Sequence, residues 1–422
     1  MTPFCFIPQR KITPASEIKP QRFPVDGLLR RAGGVFRTFA LGLVALVALA
    51  ASADEARSAP ARRAFDIDAP IGMLLEIGSG RVLFEKGIDT PHPPASIVKI
   101  MTMLLLMEAI ESGEVSLDDI VVVSAQASRI GGSQAYLADG EEMSVDDLLK
   151  AVAIHSANDA CVALAEFLAG DAQAFVDRMN DKARDLGMDN TIFITPHGLP
   201  PGRGQEADTT TARDVMTMAR ELILKHPAIL KYTGRKQDSL RGGKFRLDNT
   251  NKLLGRVSGV DGLKTGYTRA AGFGLAATAM RRGLRFVSIV MGSRSGRKRS
   301  SESARLLSYG FANLRNYLAT KESQEISEVE VPLGMSEKVM ALAGSDFRIL
   351  IQRGQERDLR FEVKPLADLS APIEAGQEIA TYVALLDGEV VGKIPLVARN
   401  PVEKANLIIR FFRWLLALLN IS

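Results

Sequence analysis

Two side chains capable of nucleophilic chemistry, Ser96 and Lys99, lie three residues apart at the start of an apolar run. Apolar residues then recur at helical spacing, which predicts a buried helix: Ile97, Met101, Leu104, Leu105 and Ala109. Because residues i and i+3 share one helix face, the Ser96 hydroxyl and the Lys99 amine can meet. A lysine that burial keeps neutral can accept a serine proton. The spacing therefore indicates a serine nucleophile with a lysine base, although a surface Ser and Lys would show the same pattern.

Two further triplets follow in the chain. Ser156-Ala157-Asn158 lies between apolar helical segments, where we expect an exposed connection. Its serine can relay a proton to a leaving amine, and its asparagine amide can bond both Lys99 and a substrate peptide group. Lys264-Thr265-Gly266 is predicted on a strand, where the cation and the hydroxyl can hold a carboxylate and the glycine allows close backbone approach. Taken singly, the first triplet also fits a helix cap and the second an ordinary strand with a glycine turn.

The elements that must position these residues alternate between strand and helix. Residues 71–76 and 81–86 predict a hairpin, and the region from 96 to about 224 is mostly helical. Within it, helices are expected at 148–154, 159–169, 175–186 and 210–224, the last capped by Asp208 and Thr209. Strands return at 259–267, 272–280 and 285–292, before a final helix at 301–317. Strands on both sides of a helical middle predict an α/β fold whose sheet joins N- and C-terminal strands.

Composition limits the classes of partner. The chain of 422 residues carries 53 Lys/Arg and 49 Asp/Glu, but residues 1–53 hold seven of the basic residues and two of the acidic ones. The remainder has 46 basic and 47 acidic residues, so it lacks the positive balance of a nucleic-acid-binding protein. No Cys or His residues occur in pairs at ligand spacing, so we expect neither a metal nor another cofactor. Cys161 is predicted to be a small core residue.

Residues 1–53 resemble an export signal. Three arginines precede an apolar run at 39–50, and Ala51-Ser52-Ala53 supplies small residues at a cleavage position. An uncleaved membrane anchor is the alternative, and the paired arginines leave open whether export follows the general or the twin-arginine route. We therefore predict a signal peptide at 1–53 and a catalytic domain at 54–320.

The C-terminal part changes character. Short alternating strands separated by turn residues predict a small all-β sandwich domain at 321–399. At 400–422 the chain ends in an apolar helix, in which Asn406, Arg410 and Arg413 belong to a narrow polar stripe. Residues 406–422 are too short to span a bilayer easily and are predicted to lie on a membrane surface, with the arginines toward anionic head groups. A coiled-coil or core-docking helix is the alternative.

The ordered trio of motifs resembles the penicillin-recognising serine enzymes. Longer segments resemble the low-molecular-mass penicillin-binding proteins that are D-alanyl-D-alanine carboxypeptidases: Pro94–Thr102, 148–160, 180–188, Thr195-Pro196-His197-Gly198-Leu199, 211–214 and 261–266. The resemblance is strong over residues 68–320 and looser over 321–422. It implies a serine β-lactamase/transpeptidase-like catalytic domain, with an antiparallel sheet, flanking helices and a helical subdomain. It further implies that a β-sandwich separates this domain from the membrane.

The resemblance also implies a role for each motif residue. Ser96 would attack the carbonyl of the penultimate D-Ala and form an acyl-enzyme, with Lys99 as its base. Ser156 and Lys264 would pass the proton to the departing D-Ala.

Substrate binding is implied for five more positions. Asn158 would orient the peptide, Thr265 would hold the terminal carboxylate, and Gly266 would let the substrate backbone approach. The backbone N–H groups of Ser96 and Tyr267 would form the oxyanion hole, although many relatives have His where Tyr267 stands. Arg299 matches a family arginine that helps to bind carboxylate, while a solvated basic loop at 294–299 is an equal alternative.

The implied function is trimming of the terminal D-Ala from peptidoglycan stem pentapeptides, in peptidoglycan synthesis and maintenance of cell shape, with acylation by β-lactams. The implied location is the periplasm, at the outer face of the inner membrane. A β-lactamase on the same fold is an alternative, but no Glu motif for activating a deacylating water lies between Asn158 and Lys264. A D,D-endopeptidase and a catalytically silent cell-wall binding protein also remain open.

Overall fold

A computed structural model describes residues 65–200, 202 and 206–418. The predicted signal peptide at 1–53 lies outside these residues. From Asp66 onward the described chain belongs to one compact unit that reaches the C-terminal helix.

Nine strands belong to the part of the chain that carries the three motifs. They are β1 (Ile71–Glu76), β2 (Val82–Lys86), β3 (Ile120–Val122), β4 (Glu142–Ser144), β5 (Gln237–Leu240), β6 (Phe245–Asp248), β7 (Val260–Thr268), β8 (Gly272–Arg281) and β9 (Leu284–Ser293). Five of them form the main antiparallel sheet in the order β2-β1-β9-β8-β7. The predicted N-terminal hairpin therefore joins the predicted C-terminal strands in one sheet.

The helices of this part lie mostly between β2 and β7. They are α1 (Lys99–Glu111), α2 (Ala125–Arg129), α3 (Val145–Lys150), α4 (Asn158–Ala169), α5 (Ala172–Asp185), α6 (Ala212–Lys225), α7 (Leu230–Thr233) and α8 (Gly296–Asn313). A single large apolar core joins α1, α4 and α6 to the inner side of β1 and β9. Burial of α1 on this core fixes the position of the motif that precedes it.

Two helix boundaries differ from the prediction. Helix α8 begins at Gly296 instead of 301 because the Ser295 hydroxyl caps it, accepting the Lys298 N–H at 3.2 Å. The helix ends at Asn313, since the following residues pair with a distant strand that local periodicity does not reveal. Helix α6 is capped by Thr211 instead of Asp208 or Thr209. Asp208 instead accepts the backbone N–H groups of Ile194 and Thr195 at 2.8 and 3.0 Å.

The C-terminal part consists of strands. They are β10 (Leu314–Thr320), β11 (Glu325–Glu330), β12 (Lys338–Ala343), β13 (Phe347–Gln352), β14 (Arg360–Pro365), β15 (Glu378–Leu386) and β16 (Glu389–Ala398). One sheet has the order β11-β12-β16-β15-β14, and β10 pairs separately with β13. Two apolar clusters lie between and beside these strands. The division at residue 320/321 stays a prediction, and β10 on its N-terminal side pairs with the strands that follow it.

The last described element is α9 (Leu407–Leu418). Within the described residues, no helix has both the length and the apolar character needed to cross a membrane. Arg413, predicted to face head groups, instead donates to the carbonyls of Gly334 and Met335 at 2.7 and 2.8 Å and pairs with Glu337. The prediction was wrong for this arginine because the partner lies almost eighty residues away in sequence.

Candidate active site

The nucleophile candidate lies in a single 3₁₀ turn, Ala95–Val98, which leads directly into α1. Its three neighbours in the turn are buried, whereas Ser96 is partly exposed. The turn packs against β7: a Cβ atom on Gly266 would lie 2.7 Å from the Pro94 carbonyl oxygen. Gly266 is therefore required for the approach of this turn to the strand, a role that the sequence analysis had assigned to the substrate backbone alone.

Lys99 lies fully buried beneath the serine. Its Nζ atom is 3.1 Å from Ser96 Oγ, and it donates to Asn158 Oδ1 and to the His197 carbonyl, both at 2.7 Å. All three partners are uncharged, so burial dominates and lowers the pKa of Lys99 to about 8. A substantial minority of Lys99 is then neutral at physiological pH and able to accept the serine proton.

The second serine is not on the exposed connection that we expected. Ser156 is buried and follows a short π-helical turn, Ala151–His155, with a left-handed backbone at φ 66°. This conformation ends the turn and carries the chain into α4. Lys264 Nζ donates to Ser156 Oγ at 2.8 Å. The serine is therefore paired with the lysine of the third motif from a position more than one hundred residues away.

Asn158 joins the first motif to a loop above it. Besides accepting from Lys99, its side chain donates from Nδ2 to the Gly131 carbonyl at 2.7 Å, and its backbone N–H donates to the Ser133 carbonyl at 2.7 Å. Both polar atoms of the side chain thus have a partner within the protein. The orientation of the amide follows from these partners, because one is a donor and the other an acceptor.

The third motif lies on β7, in register with β8. Lys264 is fully buried, and burial together with the charges of Lys99 and Arg299 holds its pKa well below its usual range. The Thr265 hydroxyl donates to the Thr250 hydroxyl at 2.7 Å. Thr250 had not been predicted as a site residue, and nothing in its local sequence distinguishes it.

Tyr267 and Arg299 both contact the ring of Phe273. Tyr267 is 56% exposed and stacks on Phe273, with ring centres 4.1 Å apart. The Arg299 guanidinium lies 5.9 Å from the same ring centre and donates to the Gly274 carbonyl at 3.3 Å. Burial lowers the pKa of Arg299 to about 10, and its Nε–H has no partner among the described residues. The alternative of a solvated basic loop is therefore wrong, since Arg299 is a buried residue of α8.

Several supporting residues were missed by the sequence analysis. The segment 195–198 had been noted only as a resemblance, yet the His197 carbonyl holds Lys99. Burial lowers the pKa of His197 to about 3, so the ring is neutral, and its Nδ1 accepts the Leu199 N–H at 3.1 Å. The Pro196 carbonyl accepts from Thr102 and Cys161 at 2.6 and 2.9 Å, and Cys161 is buried as predicted.

The residues of the three motifs thus converge on one site. Ser96, Lys99 and Asn158 are linked by hydrogen bonds, and Ser156 and Lys264 form an adjacent pair. The described residues contain no group of three or more Cys, His, Asp or Glu side chains that could hold a metal ion. The arrangement offers a partly exposed hydroxyl above a lysine of low pKa, which is suited to nucleophilic attack and acyl transfer.

Comparison with known proteins gives consistent results along the chain. Residues 54–295 match the family model of D-alanyl-D-alanine carboxypeptidase, and residues 316–404 match that of the C-terminal domain of penicillin-binding protein 5. The chain is 39% identical to the D-alanyl-D-alanine carboxypeptidase DacF of Bacillus subtilis, over 81% of this chain and 87% of that protein. It is 34% identical to DacC of Escherichia coli, over 82% and 90% of the two chains.

Solved structures agree. Penicillin-binding protein 5 from Haemophilus influenzae superposes with a TM-score of 0.63 at 33% identity, over 81% of this chain and 99% of that chain. These matches confirm the predicted fold class, a catalytic domain of mixed helix and sheet followed by a domain of strands. They also confirm that the protein is a serine-type carboxypeptidase. The chain belongs to the D-alanyl-D-alanine carboxypeptidase family.

Proposed function

We propose that Ser96 is the nucleophile that attacks the carbonyl carbon between the last two D-Ala residues of the substrate. The observation that carries this proposal is the contact between Ser96 Oγ and Lys99 Nζ at 3.1 Å, together with the pKa of Lys99 near 8. Lys99 accepts the hydroxyl proton as the oxygen–carbon bond forms. The three hydrogen-bond partners of Lys99 are uncharged. Within the described chain, no carboxylate therefore holds the proton that Lys99 gains, and the amine can pass it on.

The proton must next reach the departing amine. Ser156 Oγ, held by Lys264 Nζ at 2.8 Å, is suited to donate a proton to the D-Ala nitrogen as its bond to carbon breaks. Lys99 returns the proton it accepted through this serine, so that free D-Ala leaves and the shortened peptide remains as an ester on Ser96. Water then splits the ester and restores the Ser96 hydroxyl.

The remaining motif residues bind the substrate. Thr265 and Arg299 would hold the terminal carboxylate, and the unpartnered Arg299 Nε–H supports a role toward an anion. Asn158 would exchange its Gly131 contact for the substrate peptide group. The backbone N–H groups of Ser96 and Tyr267 would stabilise the oxyanion of the tetrahedral intermediate.

The physiological substrate is the peptidoglycan stem peptide ending in D-Ala-D-Ala, and β-lactams acylate the same serine. Penicillin-binding protein D2 of Listeria monocytogenes has been solved in ampicillin-bound and cefotaxime-bound forms, at 33% and 32% identity to this chain and TM-scores of 0.54. The match to the D-alanyl-D-alanine carboxypeptidases favours slow loss of the acyl group from penicillin.

The protein acts in the periplasm, attached to the outer face of the inner membrane. The export-type segment at 1–53 supports the compartment. Helix α9 supports the attachment, because Leu407, Ile408, Phe411 and Phe412 are each more than half exposed. Arg410 stays available to anionic head groups, whereas Arg413 fixes the helix to the connection between β11 and β12.

The testing experiment measures D-Ala release from diacetyl-Lys-D-Ala-D-Ala by the full chain, beside Ser96→Ala. We expect release from the wild type and loss of release in the variant, with retained folding shown by circular dichroism. Penicillin turnover is measured in parallel. Release by Ser96→Ala would overturn the assignment of the nucleophile, and fast penicillin hydrolysis without D-Ala release would favour a β-lactamase.

A further inference from the structure

A second concave site lies at the end of β8 that is remote from the nucleophile. We call it the basic cleft: about 830 Å³ in volume, between the β8–β9 turn and the ends of β10 and β13. Four arginines line it, Arg281, Arg282, Arg315 and Arg353, and no Asp or Glu does. The catalytic motifs contribute nothing to it. It therefore concentrates positive charge in a concavity, which favours anionic ligands.

Arg281 is held in a defined position. Its Nε–H donates to the Ser258 carbonyl at 2.8 Å, and its guanidinium lies 4.3 Å from the centre of the Phe311 ring. In the part of the chain that the structure describes, its two Nη groups have no hydrogen-bond partner. An arginine fixed on one edge and unpaired on the other keeps donors ready for a planar, bidentate anion at little entropic cost.

Arg282 occupies a place where another residue would fit better. It has a left-handed backbone at φ 51° and precedes Gly283 at φ 75°, in the two-residue turn between the paired residues Arg281 and Leu284. Turns of this kind favour Asn-Gly, and an arginine at positive φ is strained because its Cβ atom crowds the following carbonyl oxygen. Its exposed side chain has no ion pair or hydrogen bond among the described residues. A strained, unpaired arginine in this turn points to binding and not to stability.

The other two arginines differ in whether a carboxylate neutralises their charge. Arg315 pairs with Glu356 at 2.6 Å, whereas the Arg353 side chain donates, among the described residues, only to the Phe311 carbonyl at 3.4 Å. Three of the four guanidinium charges therefore lack a carboxylate partner within the described structure. Such a charge excess costs folding energy through repulsion, which a bound polyanion would relieve.

We propose that the basic cleft is a secondary binding site for the carboxylates of a second stem peptide on the polymeric substrate. The inference rests on the proposed function, because peptidoglycan repeats its acidic stem peptides along each strand. Ala276 pairs with Lys264, and Arg281 lies five residues further along β8, so the cleft is about 17 Å from the third motif. A five-residue peptide spans about 17 Å only when it is fully extended, so we assign the cleft to the carboxylates of a neighbouring stem peptide.

The experiment compares binding with catalysis in the full chain. The variants are Arg282→Asn, which suits the turn conformation, and the double variant Arg281→Gln/Arg282→Asn. The control is Arg178→Gln/Arg184→Gln, which removes two exposed arginines from α5. Binding to insoluble peptidoglycan is measured by sedimentation in a Ser96→Ala background, and D-Ala release from the soluble tripeptide is measured with Ser96 intact.

We expect the double variant to bind peptidoglycan about tenfold more weakly, Arg282→Asn to lie between it and wild type, and the control to be unchanged. Peptidoglycan whose carboxylates have been amidated should bind wild type and double variant equally. Tripeptide cleavage should stay within about twofold in all variants, so its loss in wild type would mark failure of the proposed function instead. Unchanged peptidoglycan binding, or weakened binding only to phosphatidylglycerol vesicles, would overturn the carboxylate site.

Discussion

Lys99 and Lys264 are two fully buried amines that no carboxylate contacts directly within the described residues. Lys99 bonds a hydroxyl, an amide oxygen and a carbonyl, while Lys264 bonds a hydroxyl and a carbonyl. A carboxylate partner would hold each amine in its charged form. Without such a partner, burial lowers the pKa values of both amines, that of Lys99 to about 8.

The rate of serine acylation should rise with pH. Because the pKa of Lys99 is lowered to about 8, the amine is mostly protonated below that pH and cannot accept the Ser96 proton. We expect the second-order rate of penicillin acylation to rise up to about tenfold per unit between pH 6 and 7.5 and to level off above about pH 8.

Stopped-flow measurement with a penicillin whose own groups do not titrate in this range checks the profile. Ser96→Ala supplies the blank. A flat profile from pH 6 to 9 would contradict a role for Lys99 as the base.

At the scale of elements, the segment 131–137 is held over the site from two sides. The Asp159 carboxylate accepts the backbone N–H groups of Ala135 and Leu137 at 3.0 and 3.1 Å. From the β5–β6 turn, Arg241 donates to the carbonyls of Ala135 and Tyr136 at 3.0 and 3.1 Å, and forms a bidentate pair with Glu141. The same segment bonds Asn158, so its position is coupled to the catalytic groups.

Replacing Arg241 by Gln should loosen this segment. The change removes four hydrogen bonds of the guanidinium, two of them to the Glu141 carboxylate, and we expect a loss of about 1–3 kcal/mol in the free energy of unfolding. We also expect kcat/KM for the tripeptide to fall about tenfold through misplacement of Asn158. Arg246→Gln, on the neighbouring β6 strand and exposed beside Asp248, is the matched control. Equal effects of the two substitutions would argue against a positioning role.

Gly198 should not tolerate a side chain. Its φ is 84°, and a Cβ atom there would lie 2.0 Å from the Ala95 carbonyl oxygen, next to the nucleophile. Gly198→Ala should therefore displace the Ser96 turn, lower thermal stability and reduce acylation by a factor of about one hundred.

Gly113→Ala provides the comparison, because Gly113 has a similar φ of 77° but open space around its Cβ position. It should cost about 1 kcal/mol of stability and leave acylation unchanged. Normal acylation in Gly198→Ala would contradict the expectation that a side chain at this position displaces the Ser96 turn.

The sequence was sufficient to predict contacts that depend on local spacing, and insufficient for those that close over long loops. Helical periodicity placed Ser96 close to Lys99, and alternating residues located β8 and β9. The pairing of Ser156 with Lys264 and the support of Lys99 by His197 join residues that are 108 and 98 positions apart in the chain. No local propensity encodes such contacts, so they required the folded chain.

At the scale of the whole molecule, the last described helix carries four large apolar side chains that are each more than half exposed. Helix α9 shows two exposed phenylalanines, while Arg413 ties the same helix to the β11–β12 connection. A tied helix keeps its apolar face turned outward at a fixed place on the strand domain. Membrane attachment would then orient the domain instead of only tethering it.

Replacing Phe411 and Phe412 by Ser should release the protein from membranes. The change removes the two largest exposed apolar side chains of the described part of α9, and we expect binding to phosphatidylglycerol-containing vesicles to fall at least about tenfold. Tripeptide cleavage should be unaffected. Phe361→Ser, an exposed position on β14, is the control for loss of an aromatic residue. Retained vesicle binding would place the attachment elsewhere.

The strand order of the main sheet has a consequence for how the protein forms. β1 lies between β2 and β9, and Ile71 pairs with Met291, roughly 220 residues later. During synthesis, α1 is complete long before the strand that its supporting sheet needs has emerged. The apolar face of α1 and the free edge of β1 therefore stay uncovered for most of translation. Such surfaces make the growing chain prone to aggregation unless chaperones cover them. Ser96 is synthesised early, but the sheet that supports the site around it is complete only after β9 has been synthesised.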